Sequence, residues 1–180
     1  MLQITIPAAE LWDEQNEEFV YSKEQTLQLE HSLVSLSKWE SKWLKPFLSK
    51  VDMTDEEIKD YIRCMTITQN VDPSVYDYLT EENYNEIKEY IQAPMTSTTF
   101  SDDKAGRASR KIITAEVIYA WMISLQIPIE FQKWHLNRLI TQIRACSALN
   151  QPAKKMSKRE IMSQNAALNA ARKKQLNTKG

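Results

Sequence analysis

The sequence predicts a mainly helical α+β protein, in which a small N-terminal antiparallel β-hairpin or sheet precedes a bundle of about five to six helices and a projecting basic C-terminal helix. Three observations support this prediction. Apolar and polar residues alternate within the first thirty residues, as they do along half-buried strands. From Ser32 onward, apolar residues recur every three or four positions, which is the helical period. Positive charge then accumulates near the end of the chain.

The strand signal is clearest at residues 2–6 and 26–30, and a looser alternation covers residues 19–21. The acidic stretch 13–18 separates these segments and predicts a turn. We therefore expect two or three antiparallel strands. So small a sheet is marginal by itself, and we expect helices to pack on one of its faces.

The next segment of the chain contains several sequence signals for the start of a helix. A capping residue followed by an acidic residue or by proline predicts the beginning of a helix. Four pairs carry this signal: Ser37–Glu40, Thr54–Glu57, Asp72–Pro73 and Thr80–Glu82. The apolar residues expected to face inward from two of these helices are Ile58, Ile62 and Met65, and Tyr84, Ile87 and Ile91.

The second half of the chain predicts a long loop followed by two helices. Residues 93–111 are rich in small and polar side chains, which is typical of an exposed loop. Residues 113–127 are apolar nearly all round, so we expect them to form the central buried helix. Pro128 is expected to begin one long amphipathic helix.

Charge divides the chain into two parts. Residues 1–149 carry a formal charge of −8 and residues 150–180 carry +7. We predict a single mainly helical domain over 1–150, β-rich over 1–31 and helical over 32–150, and a basic helical tail over 151–180. The cations of this basic arm are Lys154, Lys155, Lys158, Arg159, Arg172, Lys173 and Lys174.

Three kinds of partner can be considered for the basic arm. Nucleic acid would use the cations to neutralise phosphates, but the arm has no aromatic residue for base stacking. A membrane surface would require more apolar residues on one face. We favour an acidic protein surface, either on another protein or on a second copy of this chain, and we expect neither nucleic acid nor membrane as the partner.

The composition argues against catalysis. Gly106 is the only interior glycine, and phosphate-binding loops and nucleophile elbows need several. His31 and His135 lack neighbours at zinc-ligand spacing, and two of the acidic pairs stand where helices begin. We therefore expect no catalytic residue, no cofactor and no metal site.

Sequence signals also bear on the location of the protein. Two single cysteines suggest a reducing compartment, and neither a signal peptide nor a membrane span is evident. We expect a cytoplasmic protein.

The tryptophans and other large apolar side chains could have either of two roles. Core packing is the simpler one. The alternative is a groove for a partner helix, because aromatic residues dominate such interfaces. The candidate partner-binding residues are Leu36, Trp39, Trp43, Phe47, Trp121 and Trp134.

Several segments resemble a group of small proteins from tailed bacteriophages. The segments that carry the resemblance are 31–47, 113–122, 134–139, 156–162 and 168–180. Proteins of this group are similar to the tail assembly chaperones of long-tailed phages. The resemblance implies a protein partner, the tape measure protein, which such chaperones coat in the host cytoplasm until the tail tube polymerises around it. It implies no catalytic residues and no cofactor.

Two other roles stay open at this point. One is a structural virion component, such as a head–tail connector or a tail-completion protein, which would remain in the virion. The other is a nucleic-acid-binding regulator that acts through the basic arm. Each would be non-enzymatic, and the tail offers contacts for a homo-oligomer in any of the three cases.

Overall fold

The structure, a computed structural model, describes residues 1–13, 18–49, 53–100, 112–150 and 157–176. It confirms the predicted class, a mainly helical α+β fold with its antiparallel strands at the N-terminal end. The chain divides into two units, Met1–Ser147 and Ala148–Gly180. None of the described helices is long and apolar enough to cross a bilayer.

The strands form two antiparallel pairs. β1 (Leu2–Ile6) pairs with β4 (Gln25–Leu29), and β2 (Ala9–Asp13) pairs with β3 (Glu18–Ser22). In the first pair the inward-facing residues alternate with exposed ones, as the sequence predicted.

The sequence did not predict β2, whose residues lack a clean alternation. Its backbone groups pair with those of β3, the next strand along the chain, and the alternation pattern of a single segment does not reveal such pairing. The expected turn over 13–18 is wrong at its two ends, because Asp13 and Glu18 are paired strand residues. Residues 14–17 lie outside the described part of the chain.

The described helical elements follow in chain order. They are α1 (Leu33–Trp43), α2 (Asp55–Met65), a first 3-10 helix (Pro73–Tyr78), α3 (Glu81–Gln92), α4 (Ala115–Ser124), a second 3-10 helix (Ile129–Lys133), α5 (Leu136–Asn150) and α6 (Lys158–Leu176). Residues 93–100, the described part of the predicted loop, contain neither helix nor strand.

Three of the four predicted helix starts are confirmed. Thr54 and Glu57 cap α2 reciprocally, Asp72 accepts from the backbone N–H of Ser74, and Thr80 caps α3. The partner of Thr80 in its capping box is the next residue along, Asn83, and not Glu82.

The predicted start at Ser37 is wrong. α1 begins one turn earlier, where Ser32 and Ser35 form the capping box. Ser32 is extended and pairs with the backbone of His135, so tertiary contact selects the capping residue. Glu40 is consequently a mid-helix residue, and its side chain is buried.

The two predicted C-terminal helices of the domain also need correction. α4 buries only one face, through Ala115, Ile118 and Met122, and Ile123 on the other side is 76% exposed. It is therefore not a central helix. Helical periodicity alone cannot show which apolar face has a neighbour.

The long helix expected from Pro128 is broken into the second 3-10 helix and α5. The break occurs at Trp134 and His135, where the backbone N–H of Leu136 donates to the carbonyl of His31 at 2.7 Å. An uninterrupted helix would bond these backbone groups internally. Here they bond instead to the backbone of the segment at the start of α1.

Two apolar clusters fill the first unit, and α1 contributes to both. The first cluster joins the inward face of β1 and β4 to Trp39, α2 and α3. The second joins Leu33 and Leu36 of α1 to α4 and α5. Ile62 and Met65 of α2 are buried as predicted, whereas Ile58 is 37% exposed.

Candidate partner-binding surface

Leu36 and Trp39, two of the six predicted partner-binding residues, lie in the interior. Trp39 is 1% exposed and its indole N–H donates to the carbonyl of Glu57 at 2.9 Å. Leu36 is fully buried in the second cluster. Because α1 lies between two apolar clusters, its apolar stripe is covered by this chain. This corrects the prediction for these two residues.

The other four residues are half-buried and lie in different surroundings. Trp43 donates its indole N–H to Asp60 at 2.8 Å, and Phe47 stacks on Tyr61 with ring centroids 3.9 Å apart. Trp121 packs against the second cluster. Trp134 stacks on Phe131 at 3.8 Å, and the guanidinium of Arg138 lies 4.2 Å from its ring centre. A partner-binding role for these four stays a prediction.

A groove between α2 and α3, here called the α2–α3 groove, is a concave and largely apolar feature of the described residues. Its volume is about 370 Å³. Its apolar lining includes Phe47, Met53, Ile58, Tyr61, Tyr84 and Ile91. Its polar edge belongs to α3 and consists of Asn85, Lys88 and Gln92. Apolar walls with a few polar groups at the rim suit the apolar side chains of a ligand.

Hydrogen bonds hold the walls of this groove in place. Phe47 donates its backbone N–H to the carboxylate of Glu40 at 2.9 Å. Glu57 closes the capping box of α2 and also forms an ion pair with Lys45. Together these contacts fix Phe47 and the first turn of α2.

The opposite wall, α3, is tied to the strand segment. Asn83 donates to the carbonyl of Thr5 at 3.3 Å, and Tyr90 donates its hydroxyl to Glu30 at 2.7 Å. A groove with both walls anchored is preformed, which lowers the entropic cost of binding a ligand.

The two helices that form the groove carry more exposed carboxylates than cations, although the charged side chain of the groove lining is Lys88. Exposed carboxylates belong to the first turn of α2 and to the length of α3: Asp55, Glu56, Glu81, Glu82, Glu86 and Glu89. Lys59 is engaged by Asp77 at 2.9 Å, and this ion pair raises the pKa of the lysine. Burial raises the pKa of the Tyr84 hydroxyl, so the tyrosine in the groove is neutral at physiological pH. The net negative charge of α2 and α3 favours a partner with positive charge that extends beyond the groove itself.

The sequence analysis singled out several residues of the groove but did not predict the groove itself. Ile58, Tyr84 and Ile91 were expected to face the core, and their spacing is correct for that. Tyr84 and Ile91 do pack against the first cluster, and with the more exposed Ile58 they also line a depression that the two helices leave open. Met53 carried no sequence signal.

The basic arm is described in part. Lys158, Arg159, Arg172, Lys173 and Lys174 lie on α6 and are exposed, as are the other α6 side chains that the structure describes. Lys154 and Lys155 lie outside the described residues.

The two histidines, distant in sequence, meet in the interior. Their ring centroids are 5.1 Å apart; His31 shares a hydrogen bond with the Tyr61 hydroxyl at 2.6 Å and His135 one with the carbonyl of Tyr90 at 3.0 Å. Burial, together with the charge of His135, lowers the pKa of His31 to about 3, and burial also lowers that of His135. Both rings are therefore neutral at pH 7.

Nothing in the described ranges assembles a larger ligand set around this pair. Across residues 1–13, 18–49, 53–100, 112–150 and 157–176, no group of three or more His, Cys, Asp or Glu side chains is placed to hold a metal ion. Cys64 and Cys146 are free thiols, and burial raises the pKa of Cys64. The histidine pair packs between Phe47, Tyr61 and Tyr90.

No protein-family model, no curated protein and no solved structure matches this chain.

Proposed function

We propose that this protein is a non-catalytic tail assembly chaperone of a long-tailed bacteriophage, which binds the tape measure protein in the host cytoplasm before the tail tube forms. The observation that supports the proposal is the preformed, apolar α2–α3 groove between two helices of net negative charge. The resemblance of the sequence to phage tail proteins supplies the candidate partner.

The groove suits an amphipathic helix. Such a helix would insert apolar side chains spaced three or four residues apart between Ile58, Tyr84 and Ile91. Basic residues on its flanks would face the carboxylates of α2 and α3. A chaperone needs reversible contact of this kind, because the client must later be released to the tail tube.

Co-expression with the tape measure protein of the same phage tests this proposal. The wild-type chain should keep the tape measure protein soluble and co-purify with it. Ile58→Glu, which places a charge in the groove, should abolish both effects. Ile123→Glu is the matched control, since Ile123 is an exposed isoleucine of α4 that does not line the groove. Circular dichroism verifies that both variants are folded.

Two results would contradict the proposal. The first is a tape measure protein that stays insoluble with the wild-type chain. The second is equal rescue by the two variants, which would exclude the groove as the binding site. Mass spectrometry of purified virions adds an independent criterion, because a chaperone is absent from them and a structural component is retained.

A further inference from the structure

The polar edge of the α2–α3 groove is available to a ligand. Asn85, Lys88 and Gln92 lie three and four residues apart, so they form one row along α3. Tyr84 and Ile91 share this face of the helix. Among the residues that the structure describes, no side chain of the row makes a hydrogen bond or an ion pair. The row can therefore bind a ligand without first breaking a contact within this chain.

Lys88 differs from three other lysines close to α2 in having no carboxylate partner within the described part of the chain. Lys42, Lys45 and Lys59 form ion pairs with Asp60, Glu57 and Asp77 respectively. Each of these three cations is thus engaged by a carboxylate of this protein. The ammonium group of Lys88 stands at the edge of an apolar groove without such a partner.

The sequence of α3 explains why Lys88 has no partner on its own helix. The residues three and four positions away, which are its neighbours on the helix surface, are Tyr84, Asn85, Ile91 and Gln92. All four are uncharged and line the groove. The closest carboxylates in the sequence of α3, those of Glu86 and Glu89, do not line it. An unpaired cation beside apolar walls is complementary to an anionic group on an apolar ligand.

The extent of the concave surface favours a polypeptide as this ligand. At the usual rise per residue, the row of three polar side chains spans about 10 Å along α3. A second depression, of about 390 Å³, continues from the groove, because Ile58 and Tyr84 line both. Its charged lining residues, Asp55 and Lys59, have opposite signs and so leave the charge preference of the groove unchanged. A surface of this extent accommodates about two turns of a helix, whereas a small amphiphile would contact only part of it.

We propose that the tape measure segment held by the α2–α3 groove carries an Asp or Glu residue beside its apolar anchors, and that Lys88 binds this carboxylate. The amide groups of Asn85 and Gln92 flank the lysine and supply further N–H donors. Lys88 lies one turn from both Tyr84 and Ile91, so the carboxylate lies three or four residues from apolar side chains of the client helix. Because the client is the tape measure protein, this contact rests on the proposed function and specifies the chemistry of the segment that it binds.

The ion pair selects among client segments more than it tightens binding. Lys88 is exposed in the empty groove, and exposed ion pairs contribute little to binding free energy. A client that covers the groove removes water from the lysine, so a segment with a carboxylate at this position is favoured over one with a cation. The contact therefore determines which segment binds and in which register.

Peptides of about twenty residues that tile the tape measure protein test this proposal by fluorescence anisotropy with the full chain. We expect the peptides that bind to share an Asp or Glu residue three or four positions from apolar residues. In the tightest of them, replacement of that acidic residue by Lys should weaken binding about tenfold. Lys88→Glu should weaken binding of the original peptide by a similar factor and restore binding of the Lys-substituted one. Lys38→Glu, the same charge reversal at an exposed lysine that does not line the groove, is the control and should leave both affinities at their wild-type values.

Several results would overturn the proposal. Equal affinity of the original and the Lys-substituted peptide for the wild-type chain is one, and it does not depend on the folding of any variant. Failure of Lys88→Glu, verified as folded by circular dichroism, to restore binding is another. Binding of dodecanoate in place of every peptide would assign the groove to a small amphiphile. Self-association that Lys88→Glu abolishes would assign it to a second copy of this chain.

Failure of this proposal is distinguishable from failure of the proposed function. If peptides bind and Ile58→Glu abolishes their binding while Lys88→Glu does not weaken it, the groove holds the client without the ion pair. If no peptide binds and the tape measure protein is not kept soluble, both proposals fail.

Discussion

The carboxylate of Glu40 accepts the backbone N–H of Ala115 at 2.7 Å, joining the middle of α1 to the first residue of α4. Thr114, the residue that precedes α4, makes no side-chain capping bond, so Glu40 performs that role from a distant part of the chain. The other carboxylate oxygen accepts the backbone N–H of Phe47. One buried side chain thus holds both the start of α4 and Phe47, a lining residue of the α2–α3 groove.

Removal of this carboxylate should destabilise the protein. We expect Glu40→Ala to lower the free energy of unfolding by about 3 kcal/mol, because it leaves two backbone N–H groups without their acceptor. Glu40→Gln keeps one acceptor oxygen and should cost about half as much. Urea unfolding at pH 7 measures both. Glu130→Ala, a substitution of an exposed glutamate, should change stability by less than about 0.5 kcal/mol. Equal stability of Glu40→Ala and the wild type would refute this role.

The histidine pair predicts a loss of stability in mild acid. The pKa of His31 is about 3 in the folded chain and close to 6.5 in an unfolded one. Below pH 6.5 the unfolded state therefore binds more protons, and the stability present at neutral pH is lost as the pH falls toward the folded value. From pH 7 to pH 5 this residue alone should cost about 2 kcal/mol, and the lowered pKa of His135 acts in the same direction.

Equilibrium unfolding between pH 8 and pH 5 measures this dependence. His31→Gln retains a hydrogen-bonding group for Tyr61 but does not titrate, so its stability should fall less over the same range. The window ends at pH 5, above the ordinary range of carboxylates such as Glu57, whose pKa is lowered mainly by Lys45. Identical pH profiles for the variant and the wild type would exclude His31 as the source.

Leu44 ends α1 in a conformation that suits glycine. Its φ angle is 54°, in the left-handed region, and its side chain is 86% exposed. Leu44→Gly should raise the free energy of unfolding by about 0.5–1 kcal/mol, because it relieves the Cβ contact and sacrifices little burial. Leu44→Ala is the matched control and should bring no gain, since it keeps the Cβ atom. Thermal and urea unfolding should agree, and a destabilised Leu44→Gly would contradict this explanation.

Trp39 and Trp121 should differ in their contribution to stability. Trp39→Ala opens a cavity in the first cluster and leaves the Glu57 carbonyl without its donor, so we expect a loss of about 3–5 kcal/mol. Trp121→Ala removes a half-buried ring and should cost clearly less. Urea unfolding of the two variants provides the comparison. A small effect at Trp39 would contradict its proposed contribution to the core.

Interactions between residues close together in the sequence were sufficient to predict much of the helical structure. The reciprocal cap of Thr54 and Glu57 joins groups three residues apart, so the sequence alone locates the start of α2. The alternation in β1 and β4 likewise reports which side chains face the core. Each of these features depends on neighbours along the chain.

Other elements depended on contacts between distant segments. α5 begins at Leu136 because the backbone there bonds to the carbonyl of His31, which precedes α1. Glu40 illustrates the same limit for the site: its spacing from Ser37 matched a capping box, while its actual acceptor role serves Phe47 and Ala115. The groove could not be predicted for a related reason. Periodicity shows on which face of α2 Ile58 lies, but not whether another segment packs against that face.

By itself, the sequence determined the fold class, three helix starts, the acidic character of residues 1–149 and the basic character of the tail. These follow from side-chain chemistry and from interactions within a few residues. Only the tertiary structure decided that Trp39 is interior, that His31 meets His135, and that Ile58, Tyr84 and Ile91 line an open groove. The physical reason is that burial is a property of two surfaces, and each of these side chains receives its neighbour from a segment far away in the chain.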